Sequence, residues 1–384
     1  MVSAFALFFL SCWVIHLVMT LIYGYQWKKL PSFTSSDTPS TLPPLTVLIA
    51  ARNEAENLAT HLSHILNLDY PEFEVLVVVN QSTDQSIKVL TSLMKNDSRL
   101  RYLEISEIPE GWTAKKWAIQ RGVAEATYEG LALIDADCRP EENWLHGIGA
   151  AFAQGKELVL GLGFYHRYPG FLSAFIQYET LYTAFQYVGA SEAGWPYMGV
   201  GRNLAYTRTF FQRHGGLTAW RDRLSGDDDL LVGAHAKSAK TTVMVSSGSK
   251  TWSEPPRTWR SWWAQKNRHL SASQVYPLRI KALIGIYHLS HLGLHLGFWF
   301  SMVVGTTNPW LICLYIMQVL CKGWGIRQVG RHDKERPLLL SLLGLDLSYF
   351  LYNLSVVPLG LIKRPEWKIR IPEYQKTPRK TENW

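Results

Sequence analysis

Two aspartates one residue apart follow an apolar run in the stretch LALIDADCRP, residues 131–140. Because alternate side chains of a strand share a face, we expect Asp135 and Asp137 to reach one common ligand. Two carboxylates that converge in this way repel each other unless positive charge lies between them. Their oxygens suit Mg²⁺ or Mn²⁺, which in turn bridge substrate phosphates. The pair therefore favours a divalent metal site over the alternative, a polar exit from a buried strand.

The elements that must position these aspartates lie between residues 45 and 275. The runs LTVLIAA and FEVLVVV are short, apolar and β-branched, which is typical of strands buried on both faces. Between them, NEAENLATHLSHIL has helical spacing, and LALIDAD reads as a further strand. This alternation predicts an α/β domain with a mostly parallel sheet and a site at the carboxyl ends of its strands.

The composition indicates a protein associated with a membrane. Of the 384 residues, 47% are hydrophobic and only 18% are charged, which is low for a wholly soluble protein, and the formal net charge is +8. Sixteen tryptophans suit the interface between membrane and water. The four cysteines are scattered, so the sequence predicts no disulfide framework.

Residues 1–27 are predicted to form an uncleaved membrane anchor. The apolar run from 4 to 25 is long enough to cross about 30 Å of hydrocarbon as a helix, and it lacks the features of a signal peptide. Lys28 and Lys29 follow at once, and the positive-inside rule then places the next domain in the cytosol. Residues 28–44, rich in Pro, Ser and Thr, are expected to be a linker.

A second group of apolar stretches predicts membrane helices within residues 276–362. Three full spans there would leave the basic tail, residues 363–384, outside the cell, against the positive-inside rule. Asp346 and Pro358 each weaken a straight spanning helix. We therefore expect a re-entrant or interfacial hairpin over residues 337–362 and a cytosolic tail.

Two further features, one in these apolar stretches and one just before them, have a structural interpretation. His288, His291 and His295 recur at helical spacing, which can build a metal site but in an apolar span more often serves bonds to a neighbouring helix. Tryptophans and basic residues alternate near 256–272, which predicts a helix at the level of the lipid headgroups rather than a nucleic-acid surface.

Further polar motifs complete the α/β segment. In chain order they are RNE at 52–54, NQSTD at 80–84, GWTAK at 111–115, GDDDL at 226–230 and QKNR at 265–268. In this order they resemble glycosyltransferase family 2, whose members have the nucleotide-sugar-binding GT-A fold. The chain is similar in particular to membrane-bound members of the ceramide glucosyltransferase type and of the hopanoid or carotenoid lipid type.

The resemblance assigns the turns after the first two strands to donor binding, through Arg52, Asn53, Glu54, Asn80 and Asp84. Asp84 matches the last acid of the family's nucleoside-binding pattern, whereas Asn80 replaces a leading acid. An amide both donates to and accepts from a base or ribose, so the substitution is compatible with binding. Lys115 takes the place of a lysine that steadies a phosphate.

The later motifs are implied to act on the acceptor and the leaving group. The acid triplet resembles the segment that supplies the catalytic base, which selects Asp227, with Asp228 as its rival. Arg268 of the Q-x-x-R motif would hold the diphosphate. The acceptor entrance is implied to be lined by Gln265 and Trp263, with His269 next to Arg268 where the family usually has Trp. The Gly-rich stretch at 194–206 is implied to form a wall of the donor-sugar or acceptor site.

Together these motifs imply an inverting glycosyltransferase that uses Mn²⁺ or Mg²⁺, bound by Asp137 with help from Asp135. The expected partners are a nucleotide sugar, with a UDP-sugar favoured, and a membrane lipid, but no nucleic acid. The expected location is a bacterial inner membrane, with the catalytic domain in the cytosol. Two alternatives stay open: a processive polysaccharide synthase, which needs more spans than we count, and a non-catalytic nucleotide-binding membrane protein, which the acid triplet and Q-x-x-R motif argue against.

Overall fold

The computed structural model describes residues 4–30, 41–237, 239–330 and 339–362. Most of the predicted linker and all of the basic tail, with its predicted cytosolic location, lie outside these residues. The strands of the described part are β1 Leu45–Ala51, β2 Phe73–Asn80, β3 Leu100–Ile105, β4 Gly130–Leu133, β5 Cys138–Pro140, β6 Leu158–Leu160, β7 Gly163–Tyr165, β8 Leu204–Thr207, β9 Thr241–Val243 and β10 Thr251–Ser253. Its α-helices are α1 Ala4–Lys29, α2 Ala55–Leu66, α3 Ser86–Met94, α4 Ala114–Glu125, α5 Trp144–Ala153, α6 Phe171–Glu192, α7 Arg208–Arg213, α8 Asp229–His235, α9 Trp259–Ala272, α10 Leu278–Val303, α11 Pro309–Val329 and α12 Leu339–Ile362.

A central sheet has the strand order β3-β2-β1-β4-β8-β6-β9. Strand β1 pairs in parallel with β2 and β4, and β2 pairs in parallel with β3, which confirms the mostly parallel sheet. Strand β8 is antiparallel to both its neighbours, and β5, β10 and β7 form a second, smaller sheet. Because β1, β2 and β4 run in the same direction, the polar turns that follow them open at one edge of the sheet.

Helix α4 packs closely on the parallel strands and carries Lys115 to that edge. Its residue Gly122 lies where an added Cβ would come within 2.4 Å of Leu48 on β1 and 2.9 Å of Val78 on β2. The absence of a side chain at Gly122 therefore permits the close approach. Lys115 lies in the first turn of the helix, so it projects where the strands end.

Asp135 and Asp137 do not lie on a strand, which corrects the expectation that the alternation of side chains along a strand brings them together. Strand β4 ends at Leu133, and Asp135 and Asp137 lie in the turn before β5. The amide of Cys138 donates to the carbonyl of Asp135 at 3.1 Å, which closes this turn. The turn, rather than the pleat, brings the two carboxylates to one side.

The N-terminal helix α1 packs against α10 and α11. Side chains of Phe9 and Cys12 lie against Gly297 and Gly293 of α10, so the two helices run antiparallel. In the part of the chain that the structure describes, two helices, α1 and α11, are long and apolar enough to cross a membrane by length and composition.

Helix α12 is a single helix that contains Pro358, so the hairpin predicted over residues 337–362 is wrong. The reason is that the carboxylate of Asp346 is buried but its negative charge is compensated by neighbouring groups. Its carboxylate contacts the ammonium group of Lys322, accepts a hydrogen bond from the hydroxyl of Tyr178 at 2.7 Å and lies 3.1 Å from Nε2 of His295. With its charge paired inside the helix bundle, Asp346 does not interrupt the helix.

The histidines of α10 also contact α12. Nε2 of His291 lies 3.4 Å from Asp346, and Nε2 of His295 lies 3.1 Å from it. Both histidines therefore bond a neighbouring helix, and with Asp346 their ligand atoms lie within 4.8 Å of one another, a separation that a metal site would also have. His288 differs from them because it faces a cavity described below.

Candidate active site

The turns after β1 and β2 are tied to each other by side-chain hydrogen bonds. Asn53 has a left-handed backbone, with φ of 57°, and its side-chain oxygen accepts from the amide of Thr83 at 2.8 Å. Asp84 accepts from the amide of Ala55 at 2.9 Å and from the hydroxyl of Ser86 at 2.6 Å. The structure therefore uses Asn53 and Asp84 to shape the two turns.

Asn80, at the end of β2, is almost fully buried, with 2% exposure. Its amide nitrogen donates to the carbonyl of Ala114 at 2.6 Å, at the start of α4. The side chain thus positions α4, and its Oδ1 has no hydrogen-bond partner among the described atoms. The main cavity described below is not lined by Arg52, Asn53, Glu54, Asn80 or Asp84.

Lys115 joins the two groups of acids that the sequence placed far apart. Its Nζ lies 2.9 Å from Oδ1 of Asp135 and 3.1 Å from Oδ2 of Asp227. Burial alone would lower the pKa of Lys115, but the carboxylates of Asp135, Asp227 and Asp228 outweigh this effect and hold it well above its ordinary value. The lysine is therefore charged throughout the neutral range.

The three acids of the triplet have different surroundings. Asp228 accepts from the amides of Gly201 at 2.6 Å and Asp229 at 2.8 Å, so its two oxygens tie the loop before β8 to the start of α8. Asp229 accepts from the hydroxyl of Tyr276 at 2.8 Å. Of the three, Asp227 is the one that Lys115 contacts.

The electrostatics separate the triplet in the same way. Burial would raise the pKa of Asp227, but Lys115 and Lys116 outweigh this effect, so the pKa is lowered and the carboxylate stays ionised. Burial and the neighbouring charge of Asp227 raise the pKa of Asp228. Burial and the charge of Asp228 raise the pKa of Asp229 well above its ordinary value. Asp227 is therefore the triplet member that its neighbours hold in the ionised form that a base requires.

Asp135 and Asp137 have a geometry and chemistry that fit a divalent ion. Their carboxylate oxygens and the sulfur of Cys138 lie within 4.8 Å of one another. Lys115 engages Oδ1 of Asp135, and Asp137 is exposed, with Oδ1 accepting from the Cys138 thiol at 3.1 Å. Burial and these two aspartates raise the pKa of Cys138, so the thiol stays protonated. The remaining donors are hard oxygens, which match Mg²⁺ or Mn²⁺.

Helix α9 presents the Q-x-x-R motif to the same region. The amide nitrogen of Gln265 donates to the hydroxyl of Tyr165 at 3.2 Å. Arg268 and His269 line the cavity with much of their surface accessible to solvent. The protein atoms crowded around the imidazole, together with the charges of Lys266 and Arg268, lower the pKa of His269 well below its ordinary value. The imidazole is therefore neutral at neutral pH.

Trp263 does not line the cavity, which corrects its predicted place beside Gln265 at the entrance. Side chains two residues apart on a helix point in directions about 200° apart, so Trp263 and Gln265 cannot both face the same space. Trp263 instead is exposed, at 36%, on the outer side of α9.

One cavity of about 960 Å³ connects these groups. At one end it is lined by Lys115, Asp135, Asp137 and Asp227, and along α9 by Gln265, Arg268 and His269. At the other end it reaches between α10 and α12, where its lining is formed by Ile284, Leu289, Leu292, Tyr349 and Tyr352. The cavity therefore has a polar end rich in charge and an apolar end between helices.

Three cavity or support residues were not predicted from the sequence. Arg202 lines the cavity from the Gly-rich stretch, and Tyr276 bonds Asp229. Lys116 is buried and donates to the carbonyls of Arg223 at 2.6 Å and Ser225 at 2.7 Å, which holds the loop before the triplet. Of these three, Arg202 alone has a signal in the sequence, because it is an arginine within a glycine-rich stretch.

The chain is similar to known glycosyltransferases. It is 25% identical to "Probable glycosyltransferase YdaM" of Bacillus subtilis over 256 residues, which are 63% of this chain and 58% of that protein. It is 27% identical to "Beta-monoglucosyldiacylglycerol synthase" of Nostoc sp. over 128 residues, which are 33% of this chain and 27% of that protein. The chain thus spans less than two thirds of the length of these curated relatives.

A solved structure shows the same fold. The mannosyltransferase PcManGT from Pyrobaculum calidifontis, in complex with GDP-Man and Mn²⁺, matches with a TM-score of 0.52 over 92% of this chain and 96% of that one, at 19% identity. At this identity the likeness concerns the mixed α/β glycosyltransferase fold alone.

The family model that matches is described as Glycosyl transferase family 21 and covers residues 11–351. The motifs by themselves had indicated family 2, and the match corrects the family while keeping the glycosyltransferase class. The polar edge of the parallel sheet, the acid triplet and Lys115 all lie within the matched residues. The chain belongs to glycosyl transferase family 21.

Proposed function

We propose that this chain transfers a sugar, with inversion, from a nucleoside-diphosphate sugar to a hydroxyl group of a membrane lipid. The observation that carries this proposal is the single cavity that joins Asp135, Asp137 and Asp227 to the apolar space between α10 and α12. A water-soluble donor suits the charged end, and a lipid chain suits the apolar end. The two substrates would then meet where Asp227 lies.

At the donor end, Asp137 and Asp135 would hold Mn²⁺ or Mg²⁺, and such an ion supplies positive charge to the diphosphate that leaves. Arg268 adds a further cation to the wall of the cavity. The bound GDP-Man and Mn²⁺ of the Pyrobaculum enzyme support a nucleotide sugar and a divalent ion in this fold. We favour a UDP-sugar as the donor of this chain.

At the acceptor end, Asp227 takes the proton of the acceptor hydroxyl as its oxygen bonds to the anomeric carbon and the bond from that carbon to the diphosphate breaks. Direct attack from the face opposite to the leaving group inverts the anomeric configuration. Asp228 and Asp229 are engaged by backbone amides and Tyr276, which argues against either as a nucleophile for a two-step retaining route.

The lipid would enter between α10 and α12. Leu289 and Leu292 of α10 and Tyr352 of α12 line this part of the cavity, and His288 and Asn353 offer the few polar groups a headgroup needs. The Nostoc relative, which is named as a glucosyldiacylglycerol synthase, supports a lipid as the acceptor class. Anchor α1 and helices α10–α12 would hold the domain on the cytosolic face of a bacterial inner membrane, with α9 at the headgroups.

A product assay tests this function. The protein purified in detergent is incubated with UDP- or GDP-sugars, Mn²⁺ or Mg²⁺ and a bacterial lipid extract, and products are identified by mass spectrometry. We expect a lipid that is heavier by one sugar residue and whose formation requires the metal ion. Asp227→Asn should abolish it, whereas Asp222→Asn, which changes a nearby exposed acid, should not. A ladder of sugar polymer would favour the processive synthase, and nucleotide binding without a product would favour the non-catalytic alternative.

A further inference from the structure

Arg202 is a cation in the cavity wall whose role the motifs leave unassigned. It lies in the loop before β8, and its guanidinium carbon lies 4.2 Å from the centre of the Tyr165 ring. Its Nη2 donates to the carbonyl of Gly163 at 2.7 Å, and its buried Nε has no hydrogen-bond partner among the described atoms. Within the described ranges, no carboxylate forms an ion pair with it.

The position of this guanidinium is set by its neighbours. An added Cβ at Gly163 would come within 2.4 Å of Nε and 2.7 Å of Cγ of Arg202, so the side chain needs a glycine there. The Tyr165 ring covers one face, and the Tyr165 hydroxyl accepts from Gln265 of α9. The arginine is therefore held against β7, whose Tyr165 is in turn bonded to the helix that carries the Q-x-x-R motif.

Among the described residues, the other charges around the cavity leave Arg202 without an ion-pair partner. Lys115 is paired with Asp135 and Asp227, and Lys266 is paired with Glu179 at 2.5 Å. Arg202 shares the cavity wall with Asp135 and Asp137, but its positive charge is not paired with either. A half-buried guanidinium is stabilised when an anion accepts its remaining N–H groups.

The geometry points to Arg202 as a binding residue for the donor's diphosphate, an inference that rests on the proposed function. A guanidinium offers a planar fork of N–H donors that matches two phosphate oxygens, unlike the point charge of a lysine. As the bond to the sugar breaks, the pair of electrons moves onto the diphosphate oxygen. Arg202 would bind that added charge from the side of β7, while Arg268 acts from α9.

Nucleotide binding separates this role from a structural one. Affinities for UDP, UMP, GDP and GMP are measured by calorimetry with the full-length protein in detergent and Mn²⁺. Arg202→Gln should weaken binding of the preferred diphosphate about tenfold or more, as expected for loss of hydrogen bonds to a charged group, and leave the monophosphate within about twofold. Gly163→Ala, which displaces the side chain, should produce the same selective loss.

Arg208 is a matched control. Its Nη2 donates to backbone carbonyls of Ala126 and Tyr128, and its Nε is also buried without a partner, but it does not line the cavity. Arg208→Gln should therefore leave the ratio of diphosphate to monophosphate affinity unchanged. Arg202→Lys keeps the charge and should lose only part of the diphosphate affinity, which keeps the test valid if Arg202→Gln does not fold.

The outcomes distinguish the two proposals. If the wild-type protein binds none of the four nucleotides, the proposed function fails and the role of Arg202 fails with it. If the wild-type protein binds a diphosphate and the Arg202 variants bind it equally well, or lose the monophosphate to the same extent, the role of Arg202 alone is overturned.

Discussion

Nζ of Lys115 lies 3.1 Å from Oδ2 of Asp227, and the same atom lies 2.9 Å from Oδ1 of Asp135. One ammonium group thus connects the proposed base to a proposed metal ligand. It also places positive charge next to Asp135, whereas Asp137 is left without it. A change of charge at Asp135 would therefore alter the interaction between Lys115 and Asp227.

Lys115→Met should move the acid limb of the rate profile to higher pH. Asp227 acts as a base only when ionised, that is, above its pKa, and Lys115 is the larger of the two lysine effects that lower this pKa against burial. Without the lysine the pKa of Asp227 rises, so the loss of activity on acidification begins at a higher pH. The measurement is kcat at saturating donor between pH 4 and 8. Lys115→Arg keeps the charge and should keep the limb in place, and an unmoved limb in Lys115→Met would contradict the coupling.

Asp227→Asn should keep donor affinity and lose turnover by about 10²–10⁴-fold, because an amide does not accept the proton. The measurement pairs calorimetry of nucleotide binding with single-turnover transfer. Asp228→Asn should instead loosen the Gly201 loop and the start of α8 that its two oxygens hold, which a lower Tm would show. A larger turnover loss in Asp228→Asn, with Tm unchanged, would transfer the role of base to Asp228.

Asp137→Ala should remove the dependence of donor binding on Mn²⁺. Asp137 is the more exposed carboxylate of the pair, and Lys115 does not neutralise it. Titration of the nucleotide sugar with and without Mn²⁺ measures the effect. Glu110→Ala, which removes an exposed acid elsewhere, is the control, and a variant that retains the full Mn²⁺ effect would show that the metal binds at another place.

Asp346→Leu should lower stability strongly, by about 3–5 kcal/mol, because it leaves the buried charge of Lys322 without its carboxylate. The double variant Asp346→Leu with Lys322→Met removes both charges and should regain much of the loss. Thermal unfolding in detergent measures both. Glu125→Gln breaks an exposed pair with Arg121 and should change Tm little. A double variant no more stable than the single one would argue that the histidines, rather than Lys322, depend on Asp346.

The tail beyond α12 should be cytosolic. Leu342 packs against Gly323 of α11, and Tyr352 packs against Trp262 of α9 with ring centroids 5.4 Å apart, so α12 stays against elements near the catalytic domain. In a variant without native cysteines, Lys376→Cys should resist a membrane-impermeant thiol reagent in intact cells. Thr307→Cys, in the loop between α10 and α11, should react. Labelling at position 376 from outside would contradict the predicted side.

The sequence by itself determined the kind of domain and most of the charged residues of its candidate site. Runs such as LTVLIAA and FEVLVVV are buried on both faces, and this alone predicts parallel strands, because only a covered sheet can hide so much apolar surface. The acids at 135, 137 and 227 and the arginine at 268 are visible as local motifs. Each of these signals lies within a few neighbouring residues, where pattern and chemistry can be read together.

Tertiary structure alone decided how these groups serve one another. Lys115 meets Asp227, Asp346 meets Lys322, and Arg202 lies against Gly163, through contacts between residues distant in the chain. The wrong expectations have the same origin. Asp346 suggested a broken helix because its partners, on α10, α11 and α6, are not visible from its own stretch of sequence. Trp263 was expected beside Gln265 because the rotation of the helix between them was not taken into account. A motif names the charges that are present, but only the fold brings each charge to its partner, because electrostatic interactions depend on separation in space and on burial.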